Sequence, residues 1–238
     1  MDYEDIIKRL EALKNPRNVE GMNRFGIRPK TKVLGIPIPE TRKIAKILRR
    51  AQDKQKNHEL ALQLWDSKIH EARILAGFIE EPEKITQKQF EKWVKDFDSW
   101  DVCDQVCSSA FDKTSFAYKK VFELAKRKEE FVKRTAFTLI ACLAVHDKKM
   151  SDKDFIKFFP IIKKASTDER NFVKKAVNWA LRQIGKKNKK LNKEAIKVAR
   201  EIRQLAEKNN SKPAKWIAND AIRELTSEGV QSRIKMKT

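Results

Sequence analysis

The sequence predicts an all-α protein, built as a solenoid of stacked helix pairs with a concave basic groove. Three observations predict this architecture. Apolar residues recur at helical spacing along almost the whole chain, and no stretch shows the sustained alternation of a strand. Only 6 of the 238 residues are glycine, which is few for a β-rich fold or a glycine-loop enzyme. One helix-length segment also recurs at a constant interval, as in repeat architectures.

The predicted helices follow one another closely except near the N-terminus. Residues 15–39 hold three glycines and four of the seven prolines, so we expect a connecting loop there, with room for a short helical turn. Pro39 suits the first position of the next helix, where an N–H group has no partner to lose. The predicted helices are 2–14, 39–50, 58–66, 68–80, 86–96, 99–111, 114–128, 130–145, 152–165, 169–185, 192–208 and 213–227.

The internal repeat is the more specific signal. Its copies are FVKRTAFTLIA from Phe131, FVKKAVNWALR from Phe172 and PAKWIANDAIR from Pro213, so that successive copies begin 41 residues apart. A weaker copy, EARILAGFIEE, begins at Glu71 and is out of phase with them. Such a period with two helices per unit is typical of HEAT-like or armadillo-type α-solenoids. We interpret residues 1–238 as a single HEAT-like repeat domain, in which residues 1–34 form an N-terminal helix and loop.

The charge of the chain indicates a polyanionic partner. Lys and Arg outnumber Asp and Glu by 54 to 33, a net charge of +21. Such a field favours nucleic acid or an acidic membrane surface as the partner and does not bear on the fold. The longest nearly apolar run, residues 136–145, is too short to span a bilayer. The three cysteines (Cys103, Cys107 and Cys142) fit a reducing compartment, and the charged N-terminus shows no signal region, so we expect a cytoplasmic protein.

The repeat places a cation at the same position near the start of each copy. A row of cations in register would form a groove for a phosphate backbone. Basic residues at helix starts are also ordinary solvated surface, and both interpretations remain open. Residues 182–203 add nine Lys and Arg against two Glu, and their core, KKNKKLNK, is either a flexible loop that contacts phosphates or a solvated loop. The row consists of Arg73, Lys133, Lys174 and Lys215, with Arg134 and Lys175 beside it.

Several familiar kinds of site are not supported. Residues 21–26 imitate the glycine spacing of a phosphate loop but lack the Lys and Ser or Thr that must follow. Cys103 and Cys107 have neither a second cysteine pair nor a nearby histidine, so no metal site is expected. The histidines show no relation to a nucleophile, and we expect capping or surface roles for His70 and His146 near helix ends.

The segment DSWDVCDQVCSSAF, residues 98–111, is the candidate for chemistry. On a helix capped by Ser99, Trp100 and Asp104 share a face, whereas Asp101 points elsewhere and favours the helix N-terminus. A carboxylate repels DNA phosphates, so a groove that needed only affinity would avoid one. Hydrolysis of a glycosidic bond passes through an oxocarbenium-like state, which both a carboxylate and an aromatic face stabilise.

Trp179 is the second aromatic candidate. It interrupts the repeat, because the other strong copies have Thr138 and Asp220 at that position. Core packing is the competing interpretation of Trp179 and Trp100. A helix cap or an ion pair to a neighbouring helix is the competing interpretation of Asp104.

Six segments together resemble the AlkD-like family of DNA alkylation repair glycosylases, which are built from HEAT-like repeats. The resemblance covers most of the chain from about residue 20. Its most specific part is the combination of Trp-Asp-x-x-Asp with Arg-Thr-Ala and Trp-x-Leu-Arg. The segments are GIPIPETRKIAK (35–46), HEARILA (70–76), SWDVCDQV (99–106), FVKRTAF (131–137), KKAVNWALR (174–182) and AKWIANDAIREL (214–225).

The resemblance implies removal of cationic alkylpurines, such as 3-methyladenine and 7-methylguanine, from duplex DNA. The resemblance also implies that the lesion need not be flipped into a pocket and that no metal or organic cofactor is needed. The resemblance places the catalytic carboxylate on Asp104, the active-site aromatics on Trp100 and Trp179, and backbone-binding arginines on Arg134 and Arg182. The expected partner is double-stranded DNA with alkylated bases, bound by a monomer that makes no membrane contact and is nucleoid-associated while on DNA.

The N-terminal region departs from the family pattern. Residues 15–34 do not match it closely, so we assign no DNA contacts there. Two other functions compete with the enzyme. One is a non-catalytic nucleic-acid-binding scaffold that recognises branched DNA or RNA by charge and shape. The other is a HEAT adaptor for an acidic protein, which predicts weak affinity for nucleic acid.

Overall fold

The computed structural model describes residues 1–236, and every regular element in this part of the chain is helical. Lys32 and Ile69 form an isolated parallel bridge. The all-α prediction is therefore confirmed. The chain divides into two compact units, Met1–Ser115 and Phe116–Thr238, each with buried apolar residues of its own. Within residues 1–236, no helix combines the length and the apolar content that crossing a membrane requires.

The first unit is built around helix α5, which is buried at every residue from His70 to Ile79. Helices α3, α4 and α7 pack against it. Short 3-10 turns at Pro82–Lys84 and Phe111–Lys113 follow α5 and α7. The helices of this unit are α1 (Tyr3–Ala12), α2 (Pro16–Arg24), α3 (Ile38–Ala51), α4 (Lys54–Asp66), α5 (His70–Ile79), α6 (Gln87–Asp96) and α7 (Trp100–Ser109).

Aromatic side chains fill the core of the first unit. Trp65 and Trp93 stack with their ring centroids 4.1 Å apart, and the ring of Phe90 lies 4.2 Å from that of Phe111. The indole N–H of Trp65 donates to the carboxylate of Asp96 at 2.9 Å, so its polar atom is satisfied. Such ring pairs contribute about 0.5–1.5 kcal/mol beyond the area that they bury, and here they join α4 to α6 and α6 to the 3-10 turn after α7.

Helix α2 lies inside the region expected to be a loop. Pro16 is its first residue, and the side chain of Asn15 accepts a hydrogen bond from the N–H of Asn18 at 3.3 Å. This cap satisfies one of the free N–H groups at the helix start. The expected short turn is therefore a nine-residue helix, and the loop prediction is wrong for residues 16–24.

In the second unit, α9 packs against α12, and α12 against α14. The three strong copies of the repeat begin at the second residue of these helices, so the copies mark equivalent elements. The helices of this unit are α8 (Ala117–Leu124), α9 (Glu130–His146), α10 (Asp152–Ile156), α11 (Phe159–Ala165), α12 (Asn171–Gly185), α13 (Lys189–Asn209), α14 (Lys212–Leu225) and α15 (Glu228–Lys235).

Three details of the second unit differ from the prediction. The helix expected over 152–165 is two helices, because Pro160 has no N–H and its ring clashes with the preceding turn. Helix α13 begins at Lys189, where the side chain of Asn188 accepts from the N–H of Leu191 at 2.8 Å. Most of KKNKKLNK is therefore helical, and both loop interpretations are wrong for it. Helix α15 was not predicted.

Candidate functional site

Helix α7 presents Trp100 and Asp104 as partly exposed neighbours one turn apart. Its buried residues pack against α5, which approaches closely at Gly77. A Cβ added there would lie 2.8 Å from a methyl carbon of Val106. This close packing fixes the helix from which both side chains project. The shared face expected from their spacing is therefore present, and neither side chain belongs to the core.

The side chain of Trp100 is held by the N-terminal segment. Its indole N–H donates to the backbone carbonyl of Phe25 at 3.1 Å. Phe25 is the C-cap residue that follows α2 and is itself 73% exposed. Phe25, in the segment 15–34 to which the sequence assigned no DNA contacts, thus orients the tryptophan of the candidate site.

Asp101 lies in a buried polar network that joins α7 to α5. Its carboxylate accepts from the hydroxyl of Ser99 and contacts Nε2 of His70 at 2.8 Å. Burial opposes the charge of Asp101, but the hydrogen bonds from His70 and Ser99 hold the pKa of its carboxyl below the usual value. Burial also opposes protonation of His70, yet its bond to Asp101 and the surrounding carboxylates raise the pKa of the imidazole. The expected capping or surface role of His70 is wrong, because the side chain is fully buried.

The first turns of α9, α12 and α14 lie side by side in the second unit. The rings of Phe131 and Phe172 stack at 5.5 Å, and Nη1 of Arg134 donates to the carbonyl of Phe172 at 2.6 Å. Nζ of Lys174 lies 5.0 Å from the ring centroid of Trp216. These contacts connect the helix starts in sequence order. The lysines that they bring into one row, called the basic edge below, are Lys133, Lys174, Lys175 and Lys215.

The members of the basic edge differ in their availability. Lys133 forms an ion pair with Asp168 at 2.8 Å. Burial opposes the charge of Asp168, but hydrogen bonds from Arg170 and Lys133 lower the pKa of its carboxyl to about 2. Lys175 and Lys215 are exposed and form no ion pair within residues 1–236. These two are therefore the lysines of the edge best placed to meet a phosphate.

Two arginines expected to contact DNA are buried instead. Arg73 is 8% exposed, and its guanidinium donates to the carbonyls of Trp65 at 3.3 Å and Asp96 at 3.0 Å. Arg134 is 4% exposed and joins α9 to α12 through Phe172. The guanidinium groups of both arginines thus donate hydrogen bonds to backbone carbonyls of the protein.

Helix α12 carries Trp179 and Arg182 on a partly exposed stripe with Lys175 and Lys186, whose spacing places all four on one side. Because this stripe is partly exposed, core packing alone does not explain Trp179. Trp100 and Asp104 belong to the first unit, and Trp179 and Arg182 to the second.

Two carboxylates that sequence reasoning missed hold Arg182. Its guanidinium pairs with Glu224, and its Nε lies 3.6 Å from Asp220, both on α14. Asn178 donates to Asp220 at 2.7 Å. The repeat contains the signal for this contact, because positions 179 and 220 are equivalent in adjacent copies and therefore lie on adjacent helices.

Comparisons with known proteins agree with this architecture. The family model for DNA alkylation repair enzymes matches residues 6–225. The uncharacterized proteins Lin0241 of Listeria innocua and Lmo0209 of Listeria monocytogenes are 30% and 31% identical over 91 residues, which are 38% of this chain. The matched segment spans 39% of the length of each relative.

A solved structure has the same fold. It is described as a new family of proteins related to the HEAT-like repeat DNA glycosylases with affinity for branched DNA structures. Its TM-score is 0.72 at 20% identity, with 84% of this chain and 83% of that chain covered. The HEAT-like prediction is therefore confirmed. Since the family model spans nearly all of the sequence, this chain belongs to the DNA alkylation repair enzyme family.

Proposed function

We propose that this protein is a monofunctional DNA glycosylase that hydrolyses the N-glycosidic bond of cationic alkylpurines, such as 3-methyladenine and 7-methylguanine, in duplex DNA. The observation that carries the proposal is that Trp100 and Asp104 lie one turn apart on α7 and are both partly exposed. An aromatic ring beside a carboxylate suits a cationic sugar. A surface that only attracted phosphates would gain nothing from a carboxylate.

In the proposed reaction the bond between C1′ of the deoxyribose and the ring nitrogen of the alkylated base breaks. The electron pair of this bond goes to the base, which thereby loses its positive charge and needs no proton from a general acid. Asp104 stabilises the oxocarbenium-like cation at C1′ and orients a water molecule. The water oxygen adds to C1′, and its proton passes to solvent. The products are the neutral free base and an abasic site.

The other site residues are proposed to position the DNA. Trp100, oriented by its bond to Phe25, packs against the deoxyribose at the lesion, which stays in the duplex. Trp179 is proposed as the second aromatic contact to the sugar, and Arg182 as a phosphate contact. The basic edge would neutralise backbone phosphates and supply much of the affinity.

The test is release of 7-methylguanine from methylated duplex DNA by the wild-type protein and by Asp104→Asn. We expect release by the wild type and a loss of about 100-fold or more in the variant, in line with removal of one preorganised electrostatic contact. Binding of undamaged duplex stays unchanged or becomes tighter, because a carboxylate that repels phosphate is removed. Asp66→Asn, on the exposed end of α4, makes the same chemical change away from α7 and serves as the control.

A second candidate function is a non-catalytic scaffold for DNA. The solved neighbour favours it, because its description names affinity for branched DNA. Tight DNA binding by the wild type without release of any base would support the scaffold and contradict the glycosylase. Weak DNA binding that falls only shallowly with salt would contradict both and indicate an adaptor, because several phosphate contacts impose a steep dependence.

A further inference from the structure

Trp216 is an exposed tryptophan at the end of the basic edge. Its side chain is 42% exposed, whereas Trp65 and Trp93 are buried in the core of the first unit. It occupies the position at which the other strong copies of the repeat have Arg134 and Lys175. The chain therefore places an aromatic ring where its own repeat otherwise has a cation.

The outer face of α14 surrounds this ring with polar and basic side chains. Lys212, Asn219 and Arg223 lie four residues before, three after and seven after Trp216, so all four share one exposed face. The apolar residues of α14 lie on the other side and are buried. Trp216 consequently contributes little to the core, and packing does not account for a large ring at this position.

One neighbour orients the ring. Nζ of Lys174, on α12, lies 5.0 Å from the ring centroid of Trp216, within the range of a cation–π contact. A lysine beside an aromatic ring also provides the two groups that bind single-stranded DNA. The ring is a surface on which a base stacks, and the lysine is a positive charge for the adjoining phosphate. Asp220, a carboxylate close to this face, is paired with Arg223 at 2.5 Å and bonded to Asn178, so its charge is offset.

We propose that Trp216 is a stacking platform for an unpaired DNA base, with Lys174 and Lys212 neutralising the phosphates of the same strand. In an intact duplex both faces of a base are already stacked, so only a base in a single-stranded tail, gap or frayed end is available to Trp216. The inference rests on the proposed DNA binding and extends it to DNA that carries an unpaired segment.

The experiment compares dissociation constants for a blunt duplex and for the same duplex with a short single-stranded tail. We expect the wild type to prefer the tailed DNA and Trp216→Ala to bind it about tenfold more weakly, within the range measured for base–aromatic stacking, with blunt-duplex affinity unchanged. Trp216→Phe keeps most of the preference because it keeps a ring. Ile47→Ala, which truncates another side chain that is 40% exposed, leaves both constants unchanged.

Tryptophan fluorescence gives an independent readout. A tail that stacks on Trp216 quenches part of the emission of the wild type, and this part is absent in Trp216→Phe. Equal affinity of the wild type for both DNAs, or the same fractional loss for both in Trp216→Ala, would overturn the inference while leaving the proposed function intact. No binding of either DNA by the wild type would refute the proposed function and this inference together.

Discussion

Replacing Asp168 by Asn tests the ion pair that restrains the basic edge. Asp168 precedes α12, and its side chain is 9% exposed. It accepts from Nε of Arg170 at 2.9 Å and from Nη2 at 2.6 Å, and it pairs with Lys133 at 2.8 Å. The substitution keeps the size of the side chain and removes its charge, so it isolates the electrostatic contribution.

The size of the effect follows from the pKa. Burial opposes the charge of Asp168, but its hydrogen bonds lower the pKa of the carboxyl from 3.8 to about 2. A depression of this size corresponds to about 2 kcal/mol of folding free energy at neutral pH. A depressed carboxyl stabilises the folded state above its unfolded pKa and loses that effect as the pH falls through its folded pKa. The contribution is therefore complete near pH 6 and disappears toward pH 2.

Urea unfolding of wild type and Asp168→Asn, followed by circular dichroism at several pH values, measures this contribution. We expect the variant to be less stable than the wild type at pH 6. The difference between their free energies of unfolding should be smaller by roughly 1.5 kcal/mol at pH 2.5. Asp66→Asn removes an exposed ion pair with Lys92 and should change little, as is usual for surface pairs. A gap for Asp168→Asn that is the same at both pH values would refute the reasoning, because the lost stability would then not come from the charge.

Three further substitutions test the backbone and the charges around the candidate site. Gly35 has a φ of +79°, and an added Cβ would clash with the carbonyl oxygen of Asn15. Gly35→Ala should therefore lower the free energy of unfolding by about 2 kcal/mol or more. Gly21→Ala, in open space on α2, should be neutral or stabilising when both variants are compared by thermal unfolding, and equal losses of stability would contradict this account. Glu224→Gln removes a carboxylate from Arg182, so duplex affinity should rise at low salt and fall more steeply with added salt. Parallel salt plots for wild type and variant would contradict that prediction.

The fold was predictable where the sequence repeats itself. The copies that begin at Phe131, Phe172 and Pro213 identify α9, α12 and α14 and their neighbour relations without any structure. Helix α2 was missed because the proline and glycine content of residues 15–39 outweighed the Asn15-Pro16 helix start. The break before α11 follows from Pro160, whose effect on a helix interior could have been recognised.

The candidate site was predictable only in part, for a physical reason. Helical spacing shows which residues share a face, and it placed Trp100 and Asp104 together correctly. It does not show which face a neighbouring helix covers. In the repeat, Arg73 is equivalent to Lys215 and Arg134 to Lys175, and both of these lysines are exposed. Tertiary packing nevertheless buries the two arginines, and their guanidinium groups donate to carbonyl oxygens. Likewise, the orientation of Trp100 depends on Phe25, 75 residues away in sequence.

The proposed function assigns affinity and chemistry to different helices. The basic edge and the outer face of α14 carry cations and Trp216, groups that act on phosphates and bases in any DNA. Carboxylates that accompany these cations, Asp168 and Asp220 among them, are paired with them and therefore orient the cations more than they repel DNA. Asp104 lies on α7, one turn from Trp100, and not in a row of lysines. A carboxylate in that setting weakens the binding of a polyanion and acquires a use only when positive charge develops on the sugar, which is the argument for an enzyme over a scaffold.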